Sequence, residues 1–191
     1  KSSPTKSVQN DASTPMLFTQ IRQPDTNYLA VPEVSSQSRR YIPICFLTPE
    51  IIGSNKLYLI PNASLYMFGI MISNVHMAWT RVVCGRLKSD YSYSPAIYNN
   101  FPWPTPTDAQ KAKIEQTAQA ILDARELYPD SSLADLYDEV AMPPELRKAH
   151  QQNDRAVMQA YGFSVKDMTE SKCVAELMKM YQKLIKRREE K

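Results

Sequence analysis

Lys88, Asp90 and Ser92, in the run Arg86-Leu-Lys-Ser-Asp-Tyr-Ser92, carry donors and acceptors suited to the edge of a base pair. In the major groove of a duplex, lysine or arginine donates to guanine O6 and N7, and a carboxylate accepts from cytosine N4. In an extended chain, residues two apart project from one face, separated by about 7 Å of strand rise. That spacing predicts Lys88 on a guanine and Asp90 on its paired cytosine, with Ser92 reaching a neighbouring pair. The competing reading is two solvated charges or an exposed ion pair, which contribute little.

A second set is Arg39 and Arg40 beside Ser35, Ser36 and Ser38. Guanidinium groups and hydroxyls bind phosphate and fix register without reading sequence; the alternative is a polar turn before a strand. Arg81 and Arg86 flank a predicted helix end, where Arg86 serves either a phosphate or the helix C-terminus. Tyr91, Tyr93 and Tyr98 read as packing groups. His76 and His150 read as packed, hydrogen-bonded histidines, and Lys186-Arg-Arg188 as a solvated helix end.

Charge agrees with a phosphate-facing front half. The net charge is +3. Residues 1–107 hold nine Lys/Arg against five Asp/Glu, and residues 108–191 hold fourteen against fifteen. A modest basic surplus in front of a balanced rear fits contact with a polyanion.

Several chemistries lack their residues. Four glycines leave little for a phosphate cradle. No P-loop, no Ser/His/Asp set and no nuclease-like acidic cluster is present. Cys45, Cys84 and Cys173, widely spaced and odd in number, read as reduced thiols buried as small hydrophobes, and neither they nor the two histidines have metal spacing. No catalytic residue, cofactor site or metal site is assigned. The chain opens on Lys1 without a secretory h-region, which reads as the start of an excised fragment. No apolar run approaches membrane length, and the reduced thiols fit a cytoplasmic location.

The elements that would position these groups fall into two parts. Residues 1–15 read as a flexible lead-in. Tyr28–Val31, Tyr41–Leu47 and Leu57–Ile60 read as strands; Pro43 inside the second removes a ladder donor and puts it at an edge or bulge. Leu65, Phe68, Met71 and Ile72, then Val75, Ala78, Trp79, Val82 and Val83, recur at helical spacing. Ser73 or Asn74 caps the second helix, and Gly85 is placed to end it. The segment after Gly85 alternates as a strand or extended loop with one exposed face. Phe101-Pro-Trp-Pro-Thr-Pro106 forms a stiff joint, with Phe101 and Trp103 packed at the junction. Beyond it, four amphipathic helices predict a small bundle, opened in turn by Thr107 or Asp108, by Ser131 or Ser132, by Pro143-Pro144, and by the stripe Val174, Leu177, Met178, Tyr181, Leu184 and Ile185.

Ordered blocks then point to a family. Arg39-Arg-Tyr-Ile-Pro-Ile44, His76-Met-Ala-Trp-Thr-Arg-Val-Val-Cys-Gly-Arg-Leu-Lys-Ser-Asp-Tyr-Ser-Tyr-Ser94 and Tyr98-Asn-Asn-Phe-Pro-Trp-Pro104 together resemble the target-recognition region of MmeI-type (type IIL) DNA adenine methyltransferases. Further blocks are Ile21-Arg-Gln-Pro24, Tyr28, Ser131–Asp138, Met142–His150 and Asp154–Val157, so the likeness runs from about Phe18 to Tyr181. The resemblance implies an α+β DNA target-recognition domain over 16–104 and a C-terminal helical domain over 105–191. It implies that the charged pair after Gly85-Arg-Leu87 specifies a base. Ser92 is small where many relatives carry a longer basic residue. It also implies double-stranded DNA as partner, with S-adenosylmethionine and the flipped adenine held in a methyltransferase domain upstream in the same polypeptide, which in this family often also restricts DNA. An Asn/Asp-Pro-Pro-aromatic motif is absent here; Asn100-Phe-Pro-Trp103 lacks the proline pair. The assigned residues are Lys88, Asp90 and Ser92 for bases, and Ser36, Arg39, Arg40, Arg81 and Arg86 for the DNA backbone. Two rivals remain: a protein–protein adaptor docking through the Met- and Trp-rich helix, and a self-sufficient enzyme that binds S-adenosylmethionine itself.

Overall fold

A strand with no exposed face anchors the first half of the molecule. In the computed structural model, which describes residues 4–14, 16–17 and 22–189, the expected lead-in holds a short helix, α1 (Lys6–Asn10), and a 3-10 turn at Asp11–Ser13. Neither joins the core. With no glycine or proline between Thr5 and Thr14, local backbone bonds such as Gln9 N–H to Thr5 O close there. Residues 1–3, 15, 18–21, including Ile21, and 190–191 lie outside the described residues.

Strand β1 (Tyr28–Pro32) follows, and Tyr28 to Val31 are fully buried. Burial on both faces explains an apolar run instead of strict alternation. After β2 (Val34–Ser35) come β3 (Cys45–Leu47) and β4 (Leu57–Pro61), and β1 pairs antiparallel with both, giving the order β3-β1-β4. The strand expected over 41–47 is therefore shorter than its apolar run. Pro43 has no N–H to give, and Ile44 N–H turns back to Ile42 O at 2.8 Å, so ladder pairing begins at Cys45.

Two capped helices come next. Ser64 caps α2 (Leu65–Met71) and Ser73 caps α3 (Asn74–Val83), each hydroxyl accepting an N–H of the first turn. Strands β5 (Gly85–Leu87) and β6 (Asp90–Ser92) form a hairpin, and β2 adds to it in the order β2-β6-β5. Helix α4 (Pro95–Asn99) leads into the Phe101–Pro106 joint. Phe101 is buried there, and Trp103 packs between Tyr66, Tyr98 and Phe101.

The remainder is helical: α5 (Asp108–Glu126), α6 (Leu133–Leu136), α7 (Pro144–Ala160) and α8 (Glu170–Glu189). Thr107 and Ser132 supply capping boxes for α5 and α6. Pro144 sits in the first turn of α7, and Gly162, at φ 72°, follows its end. Helix α5 packs on α7, but the other partners cross the joint. Gly69 of α2 lies so close to α5 that a Cβ there would sit 2.7 Å from Ile114 Cγ2. Helix α8 covers α3 through Trp79 and Tyr181, with ring centroids 5.5 Å apart. One continuous apolar core thus runs from the first sheet into the C-terminal helices.

Candidate nucleic-acid interface

The second sheet is the outward continuation of a buried helix. Val75 to Thr80 of α3 are all buried, with Trp79 Nε1 donating to Ile97 O at 3.1 Å. The helix ends before Gly85: Cys84 takes an extended backbone (φ −74°, ψ 139°), and its Sγ donates to Ser92 O at 2.9 Å. The helix thus ends where the sequence places its end, but Gly85 has no left-handed backbone and opens a strand. Pairing with Ser92 across the hairpin holds Gly85 extended.

The hairpin changes how Lys88 and Asp90 relate. The register pairs Gly85 with Ser92, Arg86 with Tyr91 and Leu87 with Asp90. Lys88 and Ser89 make the turn, and Lys88 has φ 56°, a left-handed conformation that costs an L-residue about 1–2 kcal/mol. The expected single extended segment over 86–92 is thus folded in two. Lys88 stands exposed at the tip and Asp90 opens the return strand.

Alternation assigns the faces. Ser35, Tyr91 and Arg86 form one cross-sheet row pointing inward at Tyr91, which is buried. Val34, Ser92 and Gly85 form the next row, and Asp90 with Leu87 another, both outward. The outward face therefore presents two polar groups, two apolar groups and one glycine. Arg86 reaches back over the Tyr91 ring, 4.0 Å from its centroid, and donates to Ser89 O at 3.0 Å. It braces the turn that carries Lys88.

The polar turn before Tyr41 lies against this sheet. Gln37 N–H donates to Asp90 Oδ1 at 3.3 Å, Arg39 N–H to Ser36 O, and the Ser36 and Ser38 hydroxyls are 3.0 Å apart. Arg40 is exposed and Arg39 half-buried. Arg81 points away from the hairpin. It pairs with Glu170 of α8 at 2.8 Å and donates to Arg40 O at 3.4 Å, tying the arginine turn to the last helix. Arg39, Arg40, Arg81 and Arg147 line a cleft of about 540 Å³, faced by Asp138, Glu139 and Glu170. Lys88, Asp90, Ser92 and Arg86 share the hairpin, the Ser36–Arg40 turn meets it through Gln37 and Asp90, and Arg81 turns to bracing on α8.

Residues 1–105 match the family model of the MmeI target recognition domain, and residues 106–188 that of the MmeI C-terminal domain. The chain belongs to the MmeI family. It is 39% identical over 184 residues, 95% of its length, to DNA methyltransferase A of Bacillus subtilis (strain 168), of which it covers 21%. A solved structure of the type IIL restriction-modification enzyme MmeI in complex with DNA aligns over 96% of this chain at 48% identity and a TM-score of 0.87. The chain spans 25% of that MmeI chain, so both relatives are several times longer.

In this MmeI-family chain the two parts are also joined by a buried polar network. Asp154 of α7 accepts from the Tyr41 hydroxyl and from Asn74 N–H, both at 2.7 Å. The first bond holds the residue that follows Arg40; the second satisfies the first turn of α3. Burial pushes the Asp154 carboxyl up to about 6, against the lowering effect of those two donors and of Arg40. His150, stacked on Tyr41 with centroids 4.1 Å apart, meets the Tyr137 hydroxyl at 2.7 Å, and Arg125 donates to the same hydroxyl. Burial, then Arg125 and Arg40, holds His150 well below the ordinary imidazole range. His76 sits 3.0 Å from the Tyr93 hydroxyl, and burial lowers it to about 4. Both histidines are packing groups, as their surroundings in the sequence predict.

The network was missed in the sequence, although a signal existed. His150, Asn153 and Asp154 fall on the stripe of α7 that also carries Leu146, Ala149 and Val157, and polar residues on an apolar stripe mark buried hydrogen bonds. Met77 and Trp79, the residues expected to form an adaptor surface, are buried in the core. Among the described residues, no group of His, Cys, Asp or Glu gathers as a metal site would need, and no helix is long and apolar enough to cross a membrane.

Proposed function

We propose that this chain selects the DNA sequence modified by a cytoplasmic, S-adenosylmethionine-dependent adenine-N6 methyltransferase, and does no chemistry itself. The observation that carries this reading is the exposed face of β2-β6-β5, with Lys88 at its tip and Asp90 and Ser92 in its outward rows, in a chain so similar to a DNA-bound MmeI. A two-stranded ribbon fits the major groove. Lys88 donates to a guanine, Asp90 accepts from the cytosine N4 of the same pair, and Ser92 meets a neighbouring pair. Arg39, Arg40 and Ser36 hold phosphates beside the ribbon, which sets register. Arg86 shapes the turn and adds positive potential next to it, and Arg81 steadies the arginine turn from behind.

The adenine pocket and the cofactor belong, on this reading, to another part of the parent polypeptide, since this sequence has neither the cofactor loop nor the Asn/Asp-Pro-Pro-aromatic motif. Holding the duplex in register lets that part extract its base. The test is the double exchange Lys88→Glu with Asp90→Arg in the full-length methyltransferase, followed by mapping of methylated adenines. A changed base at one position of the target supports the reading. Methylation of the original target, unchanged, overturns it.

A further inference from the structure

The outward face of the hairpin holds two residues that neither the core nor the proposed base readout explains. Gly85 is one. Its φ lies outside the left-handed region, and a Cβ built on it would find only Ser92 O, 3.9 Å away. Neither conformation nor internal packing requires glycine there. Glycine within a strand weakens it and often marks a bulge, a tight bend or close approach by a ligand or another backbone; the regular register of β5 with β6 leaves close approach. Leu87 is the other. It is 57% exposed on the edge strand, in the same outward set as Gly85, and directly opposite Asp90.

We propose that strand β5 is itself a DNA-contact strand, in which Gly85 lets the duplex approach the sheet and Leu87 packs on the 5-methyl group of a thymine. This rests on the reading of the ribbon as a major-groove reader. Apolar side chains recognise thymine in the major groove through that methyl group. Paired Cα atoms across strands lie about 5 Å apart, against about 3.4 Å per base step. The thymine therefore belongs to the pair next to the one Asp90 reads. Charge favours a duplex as the occupant of this face over an apolar protein surface: Lys88 stands exposed at the tip next to Leu87, and the turn bonded to Asp90 through Gln37 leads on to Arg39 and Arg40. The arrangement supplies discrimination that charged groups cannot, since thymine differs from uracil only by the methyl.

The experiment measures binding of the full-length protein to its target duplex and to duplexes with each thymine in turn replaced by deoxyuridine. One replacement should weaken wild-type binding by about fourfold, the loss expected for one buried methyl. Leu87→Ala should bind the thymine and deoxyuridine duplexes alike. Gly85→Val should lose at least about tenfold in affinity while melting at or above the wild-type temperature, because its Cβ meets only Ser92 O at an ordinary 3.9 Å and valine favours a strand over glycine. The inference is overturned if no deoxyuridine weakens binding, if the sensitivity survives Leu87→Ala, or if Gly85→Val binds as wild type. The Lys88/Asp90 exchange separates the two failures: retargeting by that exchange together with indifference to deoxyuridine removes only this inference, whereas an unchanged methylation target removes the underlying reading as well.

Discussion

The outward face of β2-β6-β5 and the Asp154 network are built on opposite terms. On the sheet face, Leu87 and Lys88 stand exposed, Asp90 and Ser92 are half-buried, and one long bond from Gln37 N–H is the hydrogen bond that ties the Asp90 carboxylate to the rest of the protein. In the network, Asp154, Tyr41, His150 and Tyr137 are buried, and Asp154 has donors at 2.7 Å on both oxygens. A surface residue whose side chain supports nothing else can change without cost to the fold. A buried polar group that loses its partner leaves that partner unsatisfied in a low-dielectric interior. On the proposed reading, the target can change at the first kind of region while the second keeps the scaffold.

The sharpest way to break this contrast is Asp154→Ala. Two buried donors, the Tyr41 hydroxyl and Asn74 N–H, would lose their acceptor, and we expect a loss of about 3 kcal/mol or more in denaturant unfolding. Stability within about 0.5 kcal/mol of wild type would show that the network is decorative.

A pH series sharpens the comparison next. Asp154 is raised to about 6 from an ordinary 3.8, so its contribution is complete below pH 3.8 and is lost as pH rises through about 6. His76, lowered to about 4 from 6.5, works the other way: its contribution is complete above pH 6.5 and is lost as pH falls through about 4. The two oppose each other across this window. Asp154→Asn removes the compensating half, so its stability should fall more steeply than wild type between pH 6.5 and 4, by up to roughly 3 kcal/mol at the acid end. Parallel curves for the two proteins would refute the assignment.

On the hairpin the expected effects are smaller and of opposite sign. Lys88→Gly relieves the φ 56° strain at the tip and should raise stability by up to about 1 kcal/mol, while target discrimination drops. Asp90→Ala should change unfolding free energy by less than about 0.5 kcal/mol and still alter the methylation pattern. A large destabilisation by Asp90→Ala would place that carboxylate in the scaffold and collapse the distinction between the two regions.

Much of the fold is legible in the chain because its signals are local. Ser64, Ser73, Thr107 and Ser132 cap helices whose periodicity is plain, and Tyr28–Val31 and Leu57–Ile60 are short, proline- or asparagine-bounded apolar runs. The misreadings lie where strand pairing decides the outcome. Tyr41–Leu47 pairs only from Cys45 onward, where Pro43 and the Ile44–Ile42 turn release the chain to a partner in β1, and Gly85 opens a strand because a hairpin turn brings Ser92 opposite it. The hairpin turn at Lys88-Ser89 has none of the glycine or asparagine that usually announces one. A lysine in the left-handed region gives no such warning.

For the candidate site, the residue types carried the chemistry and the register carried the geometry. The sequence alone determined which groups are available: a lysine, a carboxylate and a hydroxyl after a buried helix, arginines in a polar turn, and a family pattern spread over most of the chain. Only the tertiary structure decided that Lys88 tops a turn with Asp90 on the return strand, that Arg81 faces α8, that Gly85 and Leu87 share the outward face, and that Asp154 joins the two halves. Side-chain chemistry is written one residue at a time, whereas facing, pairing and burial are properties of residues up to 113 positions apart, as Tyr41 and Asp154 are.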